Sequence, residues 1–79
     1  MRLINKLERY LNDKNYEIII KGNSVNVINF QEIIDFSSNK ITLRCEDKII
    51  NVEGNNLIIS KMLDEEVLIT GKIYNLRIN

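Results

Sequence analysis

The chain has 79 residues, with 11 basic and 11 acidic side chains and no net charge. This length holds one domain with a thin core, which typically leaves only a few kcal/mol of net stability. A neutral balance argues against general nucleic-acid binding, which needs Lys and Arg to neutralise phosphates. A single cysteine and no histidine exclude an intrachain disulfide and a zinc site.

Several features predict a cytoplasmic location. The lone cysteine weakly favours a reducing compartment. No apolar run approaches the ~20 residues that cross a membrane, and the first residues lack the apolar core of a signal peptide.

Residues 1–12 are predicted to form a short helix. One face carries apolar residues at helical spacing, and charged residues, three basic and one acidic, lie on the other side. A helix this short needs a surface to dock on. The apolar stripe consists of Leu3, Ile4, Leu7, Tyr10 and Leu11.

From residue 16 to residue 78 the apolar period changes from helical to two, which predicts strands. Pairs of turn-forming residues separate them, beginning with Gly22-Asn23. Ile41, Leu43 and Cys45 alternate most cleanly with polar neighbours. The expected strands cover residues 16–21, 25–30, 31–36, 40–45, 48–53, 56–61 and 67–78.

Two glycines interrupt the later strands. Gly54-Asn55 is interpreted as a turn. Around Gly71 the apolar parity changes, because Val67 and Ile69 precede it at odd positions, whereas Tyr74, Leu76 and Ile78 follow at even ones. A bulge or bend at Gly71 lets both sets face one core; a strand buried on both faces is the alternative.

These elements predict a mainly β domain spanning residues 1–79, with a helix at 1–12 and a β region at 16–78. Turn signals recur at the spacing of an all-β fold, and the connections are too short for parallel crossovers. The expected architecture is a small antiparallel β-sandwich or rolled sheet of about seven short strands.

The sequence offers no catalytic, cofactor-binding or metal-binding residues that we can assemble. Cys45 has no histidine to activate it and lies at an inward parity, so a buried structural thiol is expected. The Asp64-Glu65-Glu66 run falls where the apolar pattern breaks, which favours a solvated turn. Glu32 and Asp35 are interpreted as strand residues facing water. Three scattered glycines do not form a phosphate-binding loop.

Two binding alternatives remain open. Arg2, Lys6 and Arg9 flank the apolar stripe of the helix. The stripe could pack on the domain's own sheet, or it could lie on an anionic membrane surface that the three cations attract. A small β-barrel that binds nucleic acid is the weaker alternative, since no basic stripe interleaves the aromatic residues.

The order of elements resembles the YabP/YqfC family of sporulation proteins. The resemblance rests on a Phe-Ser before an alternating strand, an Ile-Asn-Val-Glu-Gly element, an acidic break and a final Ile-Thr-Gly-Lys-Ile strand. In this chain these are Phe36-Ser37, residues 50–54, residues 64–66 and residues 69–73. The length is closer to the shorter YqfC-like branch.

This resemblance implies a sporulation protein made in the mother cell of an endospore-forming bacterium, with no assigned catalytic activity and no site residues to carry over. Family members are often encoded beside a membrane-bound sporulation protein, which makes that protein a candidate partner. We therefore expect a non-enzymatic protein that acts through protein–protein interaction, as an adaptor for a membrane-bound partner or by self-association. No cofactor, small-molecule substrate or nucleic acid is expected.

Overall fold

The protein is described by a computed structural model over residues 16–79. The predicted helix over residues 1–12 lies outside these described residues. The strands are β1 (Glu17–Lys21), β2 (Ser24–Ile28), β3 (Glu32–Phe36), β4 (Lys40–Cys45), β5 (Lys48–Met62) and β6 (Glu66–Ile78).

All six strands form one open antiparallel sheet in the order β1-β2-β6-β5-β4-β3. The prediction of a mainly β, antiparallel fold is therefore confirmed. The prediction of about seven short strands is wrong, because β5 has 15 residues and β6 has 13.

The expected turn at Gly54-Asn55 is instead the middle of β5. Its backbone does not reverse because the β3–β4 turn bonds to it. The Gly54 N–H donates to the Asn39 carbonyl at 3.0 Å, and the Leu57 N–H donates to the Ser38 carbonyl at 2.9 Å. Backbone partners from another part of the chain thus keep this segment within β5, although Asn56 has a left-handed φ of +54° at the register shift.

The two long strands connect two halves of the sheet. The first half-sheet comprises β1, β2, the start of β6 and the end of β5. The second half-sheet comprises β3, β4, the start of β5 and the end of β6. Between them the β5–β6 register shifts at Glu53/Gly54 and again at Asn55/Ile58. Because bulges bend the strands that carry them, this central region redirects the sheet.

Gly54 and Gly71 permit the close approach of β5 and β6 in this central region. A Cβ on Gly54 would overlap the Lys72 carbonyl oxygen. A Cβ on Gly71 would lie 2.7 Å from the Asn56 carbonyl oxygen, and the Gly71 φ of +139° is one that side chains disfavour. The Gly71 N–H donates to the Asn23 carbonyl in the β1–β2 turn at 3.1 Å.

Both half-sheets contribute to one hydrophobic core. The inward parity changes across the central region, from Ile50 and Val52 to Leu57 in β5. In β6, Val67 and Ile69 are buried and Leu76 packs against the core, as predicted. Tyr74 and Ile78, which were also expected inside, are 65% and 48% exposed. The buried apolar residues are Val25, Val27, Ile41, Leu43, Cys45, Ile50, Val52, Leu57, Val67 and Ile69.

Candidate interaction surfaces

Among residues 16–79, exposed apolar side chains lie along the two long strands, at Ile58, Tyr74 and Ile78, and at three places on the periphery of the sheet. β1 exposes Ile19 and Ile20 at one edge. β3 exposes Ile34 and Phe36 at the other edge. Met62 and Leu63 are about half exposed where β5 turns into β6. These places differ in their backbone bonding and in the charges around them.

The turn between β5 and β6, with its flanking residues 62–66, is called the β5–β6 tip. The Leu63 N–H donates to the Glu66 carbonyl at 2.7 Å and closes the turn. The Glu65 carbonyl accepts from the Asn29 N–H, and the Glu66 carboxylate accepts from Asn26 Nδ2 at 2.9 Å. These bonds to β2 and to the residue that follows it fix the tip in one place.

The β5–β6 tip combines apolar surface with negative charge. Asp64 and Glu65 are exposed beside Met62 and Leu63. An open depression at this place is lined by Ile28, Asn29 and the tip residues. An apolar centre with a polar rim is the usual anatomy of a protein-binding patch, and here the rim carries negative charge.

The β1 edge is regular. β1 pairs with β2 over all five residues without a bulge, through a two-residue turn. Gly22, the first turn residue, has a φ of +51°, which the hairpin turns that match strand twist require. Within residues 16–79, β1 has no neighbour on its outer side.

The β3 edge is irregular. Its register with β4 shifts between Ile33 and Asp35. The Asp35 carboxylate accepts from the Phe36 N–H at 2.8 Å, and Glu32 pairs with Arg44 at 3.0 Å. A bulge and an occupied amide both make an edge a poor template for another strand.

The residues considered for catalysis from the sequence do not converge. Cys45 is completely buried on the inner face, as expected of a structural thiol. Burial, and then the nearby Glu46 carboxylate, raise the pKa of the Cys45 thiol, so the reactive thiolate is disfavoured. Glu32 and Asp35 are exposed on β3, and each already has a partner.

The acidic run lies in the turn that the broken apolar pattern predicted, with Asp64 and Glu65 exposed. Glu66 differs, because it begins β6, is half-buried and bonds to Asn26. Among the residues that the structure describes, no cluster of acidic, thiol or imidazole groups is suited to a metal ion.

Sequence reasoning considered the acidic run only as a solvated turn and missed the apolar pair beside it. The available signal was Met62-Leu63, which directly precedes three acidic residues at the end of a strand. Arg2, Lys6 and Arg9, which carry the membrane-contact alternative, lie outside the described residues, so that alternative stays a prediction. Residues 16–79 contain no helix with the length and hydrophobicity needed to cross a bilayer.

The geometry defines a small antiparallel β protein whose distinctive surfaces within residues 16–79 are the unpaired β1 edge and an acidic, apolar tip. The model of the YabP family matches residues 11–79, and the chain belongs to this family. Assignment to the shorter YqfC-like branch stays a prediction. Comparisons with curated proteins and with solved structures found no match.

Proposed function

We propose that this protein is a non-enzymatic sporulation protein that binds another protein in the mother-cell cytoplasm, at the membrane around the forespore. Its YabP family membership supports the link to sporulation. The single observation that carries the binding role is the β5–β6 tip, where Met62 and Leu63 are exposed beside Asp64 and Glu65. The partner surface that complements this tip is apolar at its centre and basic around it.

The proposed partner is the cytoplasmic part of a membrane-bound sporulation protein. Cytoplasmic segments next to membrane spans are rich in Lys and Arg. Such a segment complements the charges of Asp64 and Glu65, whereas an anionic lipid surface would repel them. The family resemblance implies the same class of partner, because family members are often encoded beside a membrane-bound sporulation protein.

The bonding of the tip favours specific binding. Its turn is closed by the bond from the Leu63 N–H to the Glu66 carbonyl and held to β2 by Asn26. A surface fixed before binding loses little conformational freedom when the partner arrives. Met62 adds a flexible, polarisable side chain that adapts to different apolar shapes.

Binding of the full chain to the cytoplasmic region of the adjacent membrane protein tests this proposal. Titration calorimetry would compare the wild type with the double variant D64K/E65K. We expect the double variant to bind at least about tenfold more weakly, because two attractive charges become repulsive. Met62→Ser should also weaken binding, because it removes apolar contact area.

Asp47→Lys is the matched control. Asp47 is an exposed acidic turn residue at the opposite end of β5, so its reversal changes the net charge without changing the tip. Equal binding by D64K/E65K and the wild type would reject the tip as the binding surface. Absence of any binding by the wild type would reject this partner.

A further inference from the structure

We propose that β1 is a homodimer interface, through which two copies of this chain join edge to edge into one twelve-stranded sheet. This inference rests on the proposed interaction role and adds a second copy of the chain as a partner. The observation behind it is the order of residues along β1, which runs Glu17-Ile18-Ile19-Ile20-Lys21. This order is complementary to itself when a second β1 lies antiparallel to the first.

The backbone of β1 presents bonding groups at alternate residues. Lys21 and Ser24 flank the two-residue turn, so they form a hydrogen-bonded pair of the β1–β2 ladder. Alternation then points the N–H and C=O groups of Ile18 and Ile20 away from β2. These four groups lie on the outer side of the edge, where residues 16–79 provide no partner strand.

Only one antiparallel register uses all of β1. The outward-pointing residues must face outward-pointing residues, so Ile18 of one copy pairs with Ile20 of the other, and Ile19 lies opposite Ile19. This arrangement makes four backbone hydrogen bonds across a two-fold axis. A shift by one pair in either direction leaves part of β1 without a partner.

The same register pairs the charges. Glu17 of each copy lies opposite Lys21 of the other, on the outer face that Ile19 shares. These are non-hydrogen-bonded positions, where facing side chains approach most closely. Among the described residues, neither Glu17 nor Lys21 has an ion-pair partner within its own chain. About 13 Å of strand keeps the two from pairing with each other.

The inner face gains apolar contact. Ile20 pairs with the fully buried Val25, yet is 60% exposed because nothing described lies beyond the edge. In the dimer, Ile18 of the second copy lies beside it and extends the core across the two-fold axis. The β3 edge lacks such self-complementarity, since its register is shifted and the Phe36 N–H is occupied.

Sedimentation velocity of the full chain over a range of concentrations, under reducing conditions and at low salt, tests the proposal. We expect a concentration-dependent monomer–dimer equilibrium for the wild type. Glu17→Lys and Lys21→Glu should each raise the dimer dissociation constant at least about tenfold, because each turns two attractive pairs into two repulsive ones.

Charge exchange separates this register from a general charge effect. The double variant E17K/K21E should dimerise like the wild type, because its two ion pairs are restored with opposite polarity. An equimolar mixture of the two single variants should form heterodimers, although each alone is monomeric. Asp47→Lys and Lys48→Glu, which change exposed charges in the second half-sheet, should leave the equilibrium unchanged.

A wild type that stays monomeric at the highest concentration would overturn the dimer. If E17K/K21E did not dimerise like the wild type, the proposed pairing register of the two β1 strands would be overturned. The two proposals fail separately, because Lys21 lies at the end of β1 remote from the β5–β6 tip and partner binding is measured on its own. A monomeric Lys21→Glu protein that binds the membrane partner normally supports both.

Discussion

The two half-sheets end in edges of opposite character. The first half-sheet ends in β1, which is regular and unobstructed within the described residues. The second ends in β3, where a register shift interrupts the ladder and the Asp35 side chain occupies the Phe36 amide. Exposed edge strands tend to pair with strands of other molecules, and β3 has two features that prevent this, a bulge and an occupied amide. Within residues 16–79, the contrast indicates that β3 resists pairing with another strand, whereas β1 carries no such obstacle.

The outer faces of the two half-sheets differ in the same direction. In the second half-sheet, Thr42 Oγ1 donates to Asn51 Oδ1 at 2.8 Å, and both residues are buried. The comparable pair in the first half-sheet, Ser60 with Thr70, is exposed. The polar pair of the second half-sheet is therefore the more shielded from water. The first half-sheet carries both proposed contacts, because the β5–β6 tip and β1 belong to it.

Replacement of Gly71 by Ala should have the largest effect, because it disrupts the central region that joins the half-sheets. The added Cβ combines a disfavoured φ with overlap against the Asn56 carbonyl, for an expected loss of about 3 kcal/mol or more. Urea unfolding followed by circular dichroism measures this loss. If the variant does not fold at all, the absence of a cooperative unfolding transition likewise shows a large loss of stability.

Gly22→Ala is the matched control for Gly71→Ala. Gly22 also has a positive φ, but no atom lies within 4 Å of an added Cβ. Gly22→Ala should therefore lose only the stability that the unfavourable positive φ costs, about 1–2 kcal/mol. Equal losses of stability at the two glycines would show that the overlap of the added Cβ with β5 adds nothing to the cost of Gly71→Ala.

Periodicity predicted the local elements well, because alternation of apolar and polar residues reports which face of a strand is buried. It identified Ile41, Leu43 and Cys45 as inward. It also predicted a parity change in β6, which the structure places at the register shift between Ile73 and Asn75 and not at Gly71 itself, since Ile73 still packs against the core. It misread Gly54 because a glycine in a turn and a glycine at a close strand contact have the same local sequence signal. The bonds from Gly54 to Asn39 and from Leu57 to Ser38 distinguish them, and these are long-range contacts.

Thr42→Val should show the next largest effect and sharpen the contrast between the outer faces. Valine keeps the shape but removes the donor to Asn51 Oδ1, which leaves a buried acceptor unpaired at a cost of about 1–3 kcal/mol. Thr70→Val removes the corresponding exposed bond and should cost no more than about 0.5 kcal/mol. Urea midpoints for both variants provide the comparison.

Thr42→Ser checks the interpretation, because serine retains the hydroxyl that Asn51 accepts from. It should recover most of the stability that valine loses. If Thr42→Ser and Thr42→Val were equally destabilised, the lost methyl packing and not the hydrogen bond would explain the cost.

The candidate surfaces were less predictable than the core. Exposure of Ile20 and Phe36 depends on which strands lie at the sheet edges, and strand order is set by long-range pairing. The sequence did contain the self-complementary order of β1. Interpreting that order requires knowing that β1 lies at the edge of the sheet formed by residues 16–79. The partners of Glu66 and Asp35 likewise follow from register and not from residue type.

The smallest expected effect concerns Cys45, a thiol that reports on the second half-sheet. Burial raises the pKa of Cys45 in the folded protein, with a further increase from Glu46. In the unfolded chain the thiol ionises near its ordinary pKa of about 8.5. The stability that this group contributes is therefore fully present below that pH and is lost as the pH rises through the folded-state pKa.

Urea unfolding of the wild type and Cys45→Ala at pH 7 and at pH 9.5 isolates this contribution. The wild type should lose more stability between the two pH values than Cys45→Ala does. Thiol labelling at pH 7 provides an independent measure, since a closed second half-sheet protects Cys45 until it opens. Labelling as fast as that of the urea-unfolded chain would show that this half-sheet opens freely, which would contradict the contrast with the first half-sheet.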